Sequence, residues 1–336
     1  MPPKALKAMM SHAVGGPETL ELTEQPIPAP QFGEVLIRVH AAGVNFPDTL
    51  IGRDLYQIKP PRPFAPGGEL ASIVEAIGDG VDGFKVGDRV LALTLFGAFS
   101  SHVCAKASMT FKIPDVMPFD DAACFLITYG TNYFGLYDCG RLKEGETVLV
   151  LGASGGIGTA AIELAKHANA RVLAAVSSEE KAAYCRAIGA DETLIYPSNL
   201  EKDGQRALSA SIKQLAGSKG VDIVYDPVGG NYAEPALRSL NFDGRHVVLG
   251  FTAGIPKIPL NLPLLKNLNI CGVNWAKFST DRPDRFRQQV KTLLALYETG
   301  NIKPKISSRF PLEEAGKALE LFEARKAQGK IVVMID

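Results

Sequence analysis

The chain has 336 residues, 36 basic against 36 acidic side chains, and 46% hydrophobic content. That length allows two domains or one large one with a sizeable core, while the charge balance excludes the electrostatic footprint of a nucleic-acid or anionic-membrane binder. The five cysteines (Cys104, Cys124, Cys139, Cys185, Cys271) are scattered, without a C-x-x-C pair, and read as reduced residues of a cytosolic protein. Residues 1–10 lack the apolar core of a secretory leader and no run approaches a membrane span, so the expected location is the cytoplasm.

In chain order, residues 1–128 read mainly as β. Segment 35–40 is largely β-branched and apolar, and Glu69–Ile77 and Arg89–Leu93 are further strands, with Asp79-Gly80 and Gly87-Asp88 as turns. Prolines clustered at 26–30 and 60–66 suit loops over a barrel-like sheet. From Thr147 the rhythm changes to alternating strands and helices. Strands fall at Thr147–Leu151, Arg171–Val176, 193–196, 221–225, 246–250 and 270–273, with helices at 179–188, 206–215 and 232–240. Such alternation signals βαβ units, a parallel sheet and helices on both faces. Helices at 283–299 and 312–325 follow. A last strand at 330–335 cannot stand alone and is expected to pair back into the N-terminal sheet.

The most informative stretch is TVLVLGASGGIGTAAIELAK, residues 147–166. It reads as a buried parallel strand, a glycine loop and an amphipathic helix. The loop, Gly152-x-x-Gly155-Gly156-x-Gly158, is a variant of the dinucleotide fingerprint: glycines let a pyrophosphate approach backbone N–H groups, and the first helical turn attracts the anion. Gly152, Ser154, Gly155, Gly156 and Ile157 are therefore expected at the cofactor. In parallel sheets the ligand sits beyond the carboxyl ends of the strands, which directs attention to loops 152–158, 177–181, 196–199, 226–230 and 250–256. Strand Arg171–Val176 ends in Ser177-Ser178-Glu179-Glu180-Lys181. Hydroxyls plus a cation suit a ribose 2′-phosphate and favour NADP(H). The rival reading gives Glu179 to the ribose hydroxyls of NAD(H), and Ser177-x-x-Glu180 is also a capping box.

The five histidines, His12, His40, His102, His167 and His246, are never spaced as a ligand pair, so no metal is expected. Gly43-Val44-Asn45-Phe46-Pro47-Asp48, Gly67-Gly68-Glu69, Thr128-Tyr129-Gly130-Thr131-Asn132-Tyr133, Gly145–Val150, Gly152–Gly158, Val221–Gly230 and Ala324–Lys330 together give the chain a resemblance over nearly its whole length. It resembles the zinc-independent medium-chain dehydrogenases/reductases, within the NADPH:quinone oxidoreductase family. Zinc-bearing alcohol dehydrogenase relatives carry a ligand cysteine where Asn45 stands and Gly-His-Glu where Gly67-Gly68-Glu69 stands. They also carry a four-cysteine lobe that is missing here.

The resemblance implies an α/β fold: a discontinuous GroES-like β-rich catalytic domain (1–128 and 274–336) and a Rossmann doubly wound parallel sheet binding NADP(H) (129–273), with the active site in the cleft between them. It implies Asn45, Asp48 and Tyr56 at the acceptor, Asn45 as an amide donor and Tyr56 for stacking or a hydrogen bond. Asp48 after Pro47 also reads as an ordinary cap. Thr131, Gly250, Phe251 and Asn274 would touch the nicotinamide side, Ser177, Lys181 and Tyr196 the 2′-phosphate, and Lys330 the cofactor from the C-terminal segment. The expected reaction is hydride transfer from NADPH to a quinone or activated enone. Reduction of α,β-unsaturated carbonyls or enoyl thioesters is the alternative, with Arg53, Lys59, Arg62 and Lys277 as candidate contacts for a CoA group. A non-catalytic NADPH-binding protein is a second alternative. Segment 267–273 reads as an apolar edge strand, through which two subunits are expected to pair.

Overall fold

The computed structural model describes residues 5–324 and 327–335. The chain forms two compact units, one of residues 1–127 with 304–336 and one of residues 128–303.

The first unit is built on a seven-stranded sheet whose centre is the long strand Glu34–Val44, antiparallel to Glu69–Ile77. Val35, Ile37 and Val39 alternate into the core with Leu70, Val74, Val90 and Phe99. The sequence pattern breaks at His40 because the pairing slips there, with Val39 opposite Ser72 and Ala41 opposite Ala71. The strand then runs on through small residues that have little strand preference of their own. Its far end is held by the closing strand Lys330–Met334, which pairs back as expected, antiparallel, with Ile331 opposite Val44. Gly43 has no room for a side chain, since a Cβ would lie 2.1 Å from Ala123 O and 2.6 Å from Glu69 Oε1. Five strands escaped the sequence reading, Ala5–Ser11, Leu20–Pro26, His102–Lys106, Thr110–Lys112 and Ile306–Pro311. The expected 312–325 helix is a 3₁₀ turn, Leu312–Glu314, followed by Ala315–Glu323, and Arg325 lies outside the described residues.

The second unit holds six parallel strands in spatial order Glu192–Ile195, Arg171–Val176, Thr147–Leu151, Val221–Asp226, Leu240–Val248, Asn269–Gly272. Numbered along the chain this is 3-2-1-4-5-6, the doubly wound arrangement, and its strand order reverses between Thr147–Leu151 and Val221–Asp226. All five residues of Thr147–Leu151 are buried, as a strand covered on both faces requires. Segment 274–303, expected with the β-rich domain, belongs to this unit instead. Trp275 Nε1 donates to Gln289 Oε1 at 2.8 Å, Gln289 Nε2 donates to Gly130 O at 3.2 Å, and Phe278 stacks on Phe134 at 4.4 Å. These are long-range contacts, which local periodicity does not report.

Candidate active site

In the second unit, helix Gly156–His167 starts at the tip of the central strand, capped by Gly155 with no side chain to spend on the first-turn N–H groups. A Cβ at Gly158 would sit 2.5 Å from Ala153 Cα, so only glycine lets the helix close on the strand end. Around this loop the topological switch gathers the other expected elements. Gly152 N donates to Tyr196 Oη at 3.1 Å, and Tyr196 is buried, which raises its phenol pKa. Loops 226–230 and 250–254 are joined by Ala253 N to Val228 O, 2.8 Å, and Gly230 N to Gly254 O, 2.7 Å. Asp226 Oδ1 accepts from Val228 and Gly229 N–H, both at 2.8 Å, while its other oxygen meets buried His246 Nε2 at 3.0 Å. Phe251 is left exposed beside these loops.

At the end of the neighbouring strand, the cap of helix Glu179–Ala187 is Ser178, whose hydroxyl accepts from Lys181 N, rather than Ser177. This correction matters because it releases Ser177, whose hydroxyl meets Lys181 Nζ at 3.3 Å. An ammonium and a hydroxyl thus face each other at the carboxyl end of strand Arg171–Val176. Ser154, within the loop, is buried. Thr131 lies half-buried on helix Leu126–Tyr133. Asn274 caps helix Trp275–Asp281, accepting from Lys277 N at 3.0 Å.

In the first unit the structure brings Asn45, Asp48 and Lys330 together and adds Glu69, which sequence reasoning missed as a site residue. All four are buried. Lys330 Nζ donates to Asn45 Oδ1 (2.7 Å), Glu69 Oε1 (3.0 Å) and Val44 O (3.2 Å). Asn45 Nδ2 donates to Glu69 Oε1 at 3.0 Å and Gly43 O at 3.3 Å, and Glu69 Oε2 accepts from Ile127 N at 2.9 Å. Every ammonium proton and both amide protons are therefore engaged. Asn45 also caps helix Phe46–Ile51, and Asp48 closes the capping box by accepting from Asn45 N at 2.8 Å. Burial pushes Asp48 up to about 7, against the pull of the Asn45 and Gly67 N–H groups and the Lys330 charge. Burial pulls the Lys330 pKa down, but Glu69 and its other neighbours turn the net shift upward. Half-buried Tyr56 has its phenol raised by burial first and by Asp48 second. The signal that could have exposed this cluster is a lysine opening the otherwise apolar strand Lys330–Met334.

Residues 31–115 match the alcohol dehydrogenase GroES-like domain, and residues 156–296 match the zinc-binding dehydrogenase domain. Quinone oxidoreductase-like protein 2 of Rattus norvegicus is 36% identical over 317 residues, covering 94% of this chain and 88% of its own. Quinone oxidoreductase of Homo sapiens is 33% identical over 335 residues, covering 99% and 98%. The chain belongs to the quinone oxidoreductase family of medium-chain dehydrogenases/reductases. Among solved structures, the Escherichia coli quinone oxidoreductase complexed with NADPH shares 29% identity at a TM-score of 0.89, covering 98% of this chain and 99% of its own.

The zinc in the second domain's description does not fit this family member. Zinc takes thiolate, imidazole or carboxylate donors, three of them in catalytic sites. At Asn45 and Gly67-Gly68-Glu69 this chain offers an amide and one carboxylate, and the space beside them holds the Lys330 ammonium. Among the described residues no group of three or more His, Cys, Asp or Glu could hold a metal ion. No helix among them is long and apolar enough to cross a membrane.

Proposed function

We propose that the protein is an NADPH-dependent quinone reductase working by metal-free hydride transfer. The observation that carries this reading is the Lys330–Glu69–Asn45 cluster. An ammonium fixed by three hydrogen bonds stands where zinc relatives polarise an alcohol or ketone, so the acceptor must take hydride without a Lewis acid. A quinone does so because the electrons delocalise into a phenolate.

The phosphates rest on the first turn of helix Gly156–His167, with Ser154, Gly155, Gly156 and Ile157 around them. Ser177, Lys181 and Tyr196 select the 2′-phosphate, and Thr131, Gly250, Phe251 and Asn274 lie toward the nicotinamide. When bound, NADPH supplies the hydride; the protein supplies position and electrostatics. On the acceptor side Tyr56 stacks on or hydrogen-bonds the substrate, and Asn45, its amide protons already engaged, holds Asp48 in place. Three of the four cations named for the thioester alternative lie in solvent-accessible ion pairs, which a phosphate can displace at little cost. Arg53 meets Glu323 at 3.0 Å, Arg62 meets Asp54 at 2.8 Å and Lys277 meets Asp281 at 2.7 Å.

The test is NADPH oxidation followed by absorbance with 9,10-phenanthrenequinone, 1,4-benzoquinone and an enoyl thioester, each repeated with NADH. Quinone turnover with preference for NADPH is expected. Turnover of thioesters alone would move the reading to enoyl reduction, and binding without oxidation would make the protein a non-catalytic NADPH binder. The edge strand Asn269–Gly272 has Ile270 at 46% exposure and Leu264 and Leu265 near it in sequence at 83% and 70%. A homodimer covering this edge follows. Light scattering at micromolar protein should give twice the 36.0 kDa chain mass, and a monomer would refute it.

A further inference from the structure

We propose that Lys330 and Glu69 are positioning residues for hydride transfer: their buried ammonium–carboxylate pair stands in for a metal, holds Asn45 and through it the Asp48 carboxyl, and governs whether Asp48 carries a charge beside the acceptor. The inference deepens the quinone-reductase reading and rests on it for the acceptor's place.

The geometry is specific. Glu69 and Lys330 are both nearly inaccessible, with side chains 2% and 3% exposed. Neither ion has water to stabilise it, so each depends on its protein partners. Lys330 spends its three protons on Val44 O, Asn45 Oδ1 and Glu69 Oε1, and Glu69 spends its second oxygen on Ile127 N. Asn45 is thereby locked as the cap of helix Phe46–Ile51, and its own N–H reaches Asp48 Oδ2. Two hydrogen bonds thus connect the ammonium to the carboxyl through one residue: the Asn45 side-chain carbonyl oxygen accepts from Lys330 and the Asn45 backbone N–H donates to Asp48.

The groups facing Asp48 are Lys330, which favours its charged form, Glu69 and Tyr56, and the N–H groups of Asn45 and Gly67. Cys124, buried beside Lys330 and Glu69, has its thiol held well above the usual range by burial and stays neutral. Burial dominates, and Asp48 titrates at about 7. Chemistry gives this a consequence. Hydride addition turns a quinone into a phenolate, and a neutral carboxyl beside it avoids a like-charge repulsion that an ionised one would impose. Turnover should therefore fall as pH rises through the Asp48 titration.

The experiment pairs two readouts in the full-length protein, the pH profile of kcat with 9,10-phenanthrenequinone and an infrared pH titration of the buried carboxylic-acid C=O band without cofactor. Asp48→Asn assigns the band and abolishes the falling limb. Lys330→Met should move both the limb and the band midpoint to higher pH, by about one pH unit for loss of a close positive charge. The double variant Lys330→Met/Glu69→Gln, which leaves no orphan charge but also removes the Glu69 charge that raises Asp48, should move them the same way by less. Lys330→Arg should restore both. Lower activity with limb and midpoint unmoved would reduce the pair to a structural role and overturn the proposal. A moved band in a protein that turns over no quinone would instead refute the quinone-reductase reading while leaving the pair's control of Asp48 standing.

Discussion

The glycine loop of one unit and the charged cluster of the other are built in opposite ways. At 152–158 the protein offers backbone: no side chain caps helix Gly156–His167, and the loop itself is one short stretch of chain. At Asn45, Asp48, Glu69 and Lys330 it offers side chains whose charges are already matched to one another, the two ends of one ion pair lying 261 positions apart in the chain. A backbone site tolerates changes to its surroundings but not to its glycines. A side-chain site tolerates paired changes but not single ones, because a buried charge left alone has no solvent to turn to.

The largest expected effect follows from that asymmetry. Lys330→Met should lower stability in urea unfolding by about 3–5 kcal/mol, the cost of an orphaned buried charge, while Lys330→Met/Glu69→Gln should recover most of it. Equal losses in both would break the comparison. At the backbone site, Gly158→Ala forces a Cβ to within 2.5 Å of Ala153, and should cost about 1–3 kcal/mol with a comparable weakening of NADPH binding by calorimetry. Unchanged affinity would mean the phosphates do not rest on that turn.

A smaller, pH-dependent effect concerns Asp48. Its pKa is 3.8 unfolded and about 7 folded, so between these values the folded chain holds a proton that the unfolded chain has released. Its contribution to stability is fully present below 3.8 and is lost as pH rises through 7. Asp48→Asn, which cannot ionise, should gain on the wild type by about 2 kcal/mol between pH 5 and pH 7 in thermal unfolding. A pH-independent difference would sink the assignment. Smallest is Lys181→Ala, expected to weaken NADPH about tenfold, roughly 1.4 kcal/mol, with NADH nearly unaffected. Equal losses for both cofactors would remove Lys181 from the 2′-phosphate.

How much could be read in advance tracks the same contrast. The parallel sheet announced itself because each βαβ unit writes its own period, and Thr147–Leu151 and Arg171–Val176 carry the observed bounds, as Glu69–Ile77 does in the other sheet. Strand Ile306–Pro311 was hidden by its Ser-Ser-Arg polarity, which reflects a sheet edge half in water. Segment 274–303 joined the other unit through Trp275, Gln289 and Gly130, a chain of bonds no local window contains. Lys330 and Asn45 were visible through the resemblance, but their hydrogen bond to each other and their shared bond to Glu69 were not. A lysine and a glutamate in distant strands become a pair only when the closing strand docks on Glu34–Val44.

The central claim is that an internal ammonium, and no metal, accompanies hydride transfer from NADPH. It is tested most directly by measuring quinone-dependent NADPH oxidation after exhaustive dialysis against a chelator, with and without added zinc. The account predicts unchanged turnover in both conditions. Activity lost on dialysis and restored by zinc would contradict it.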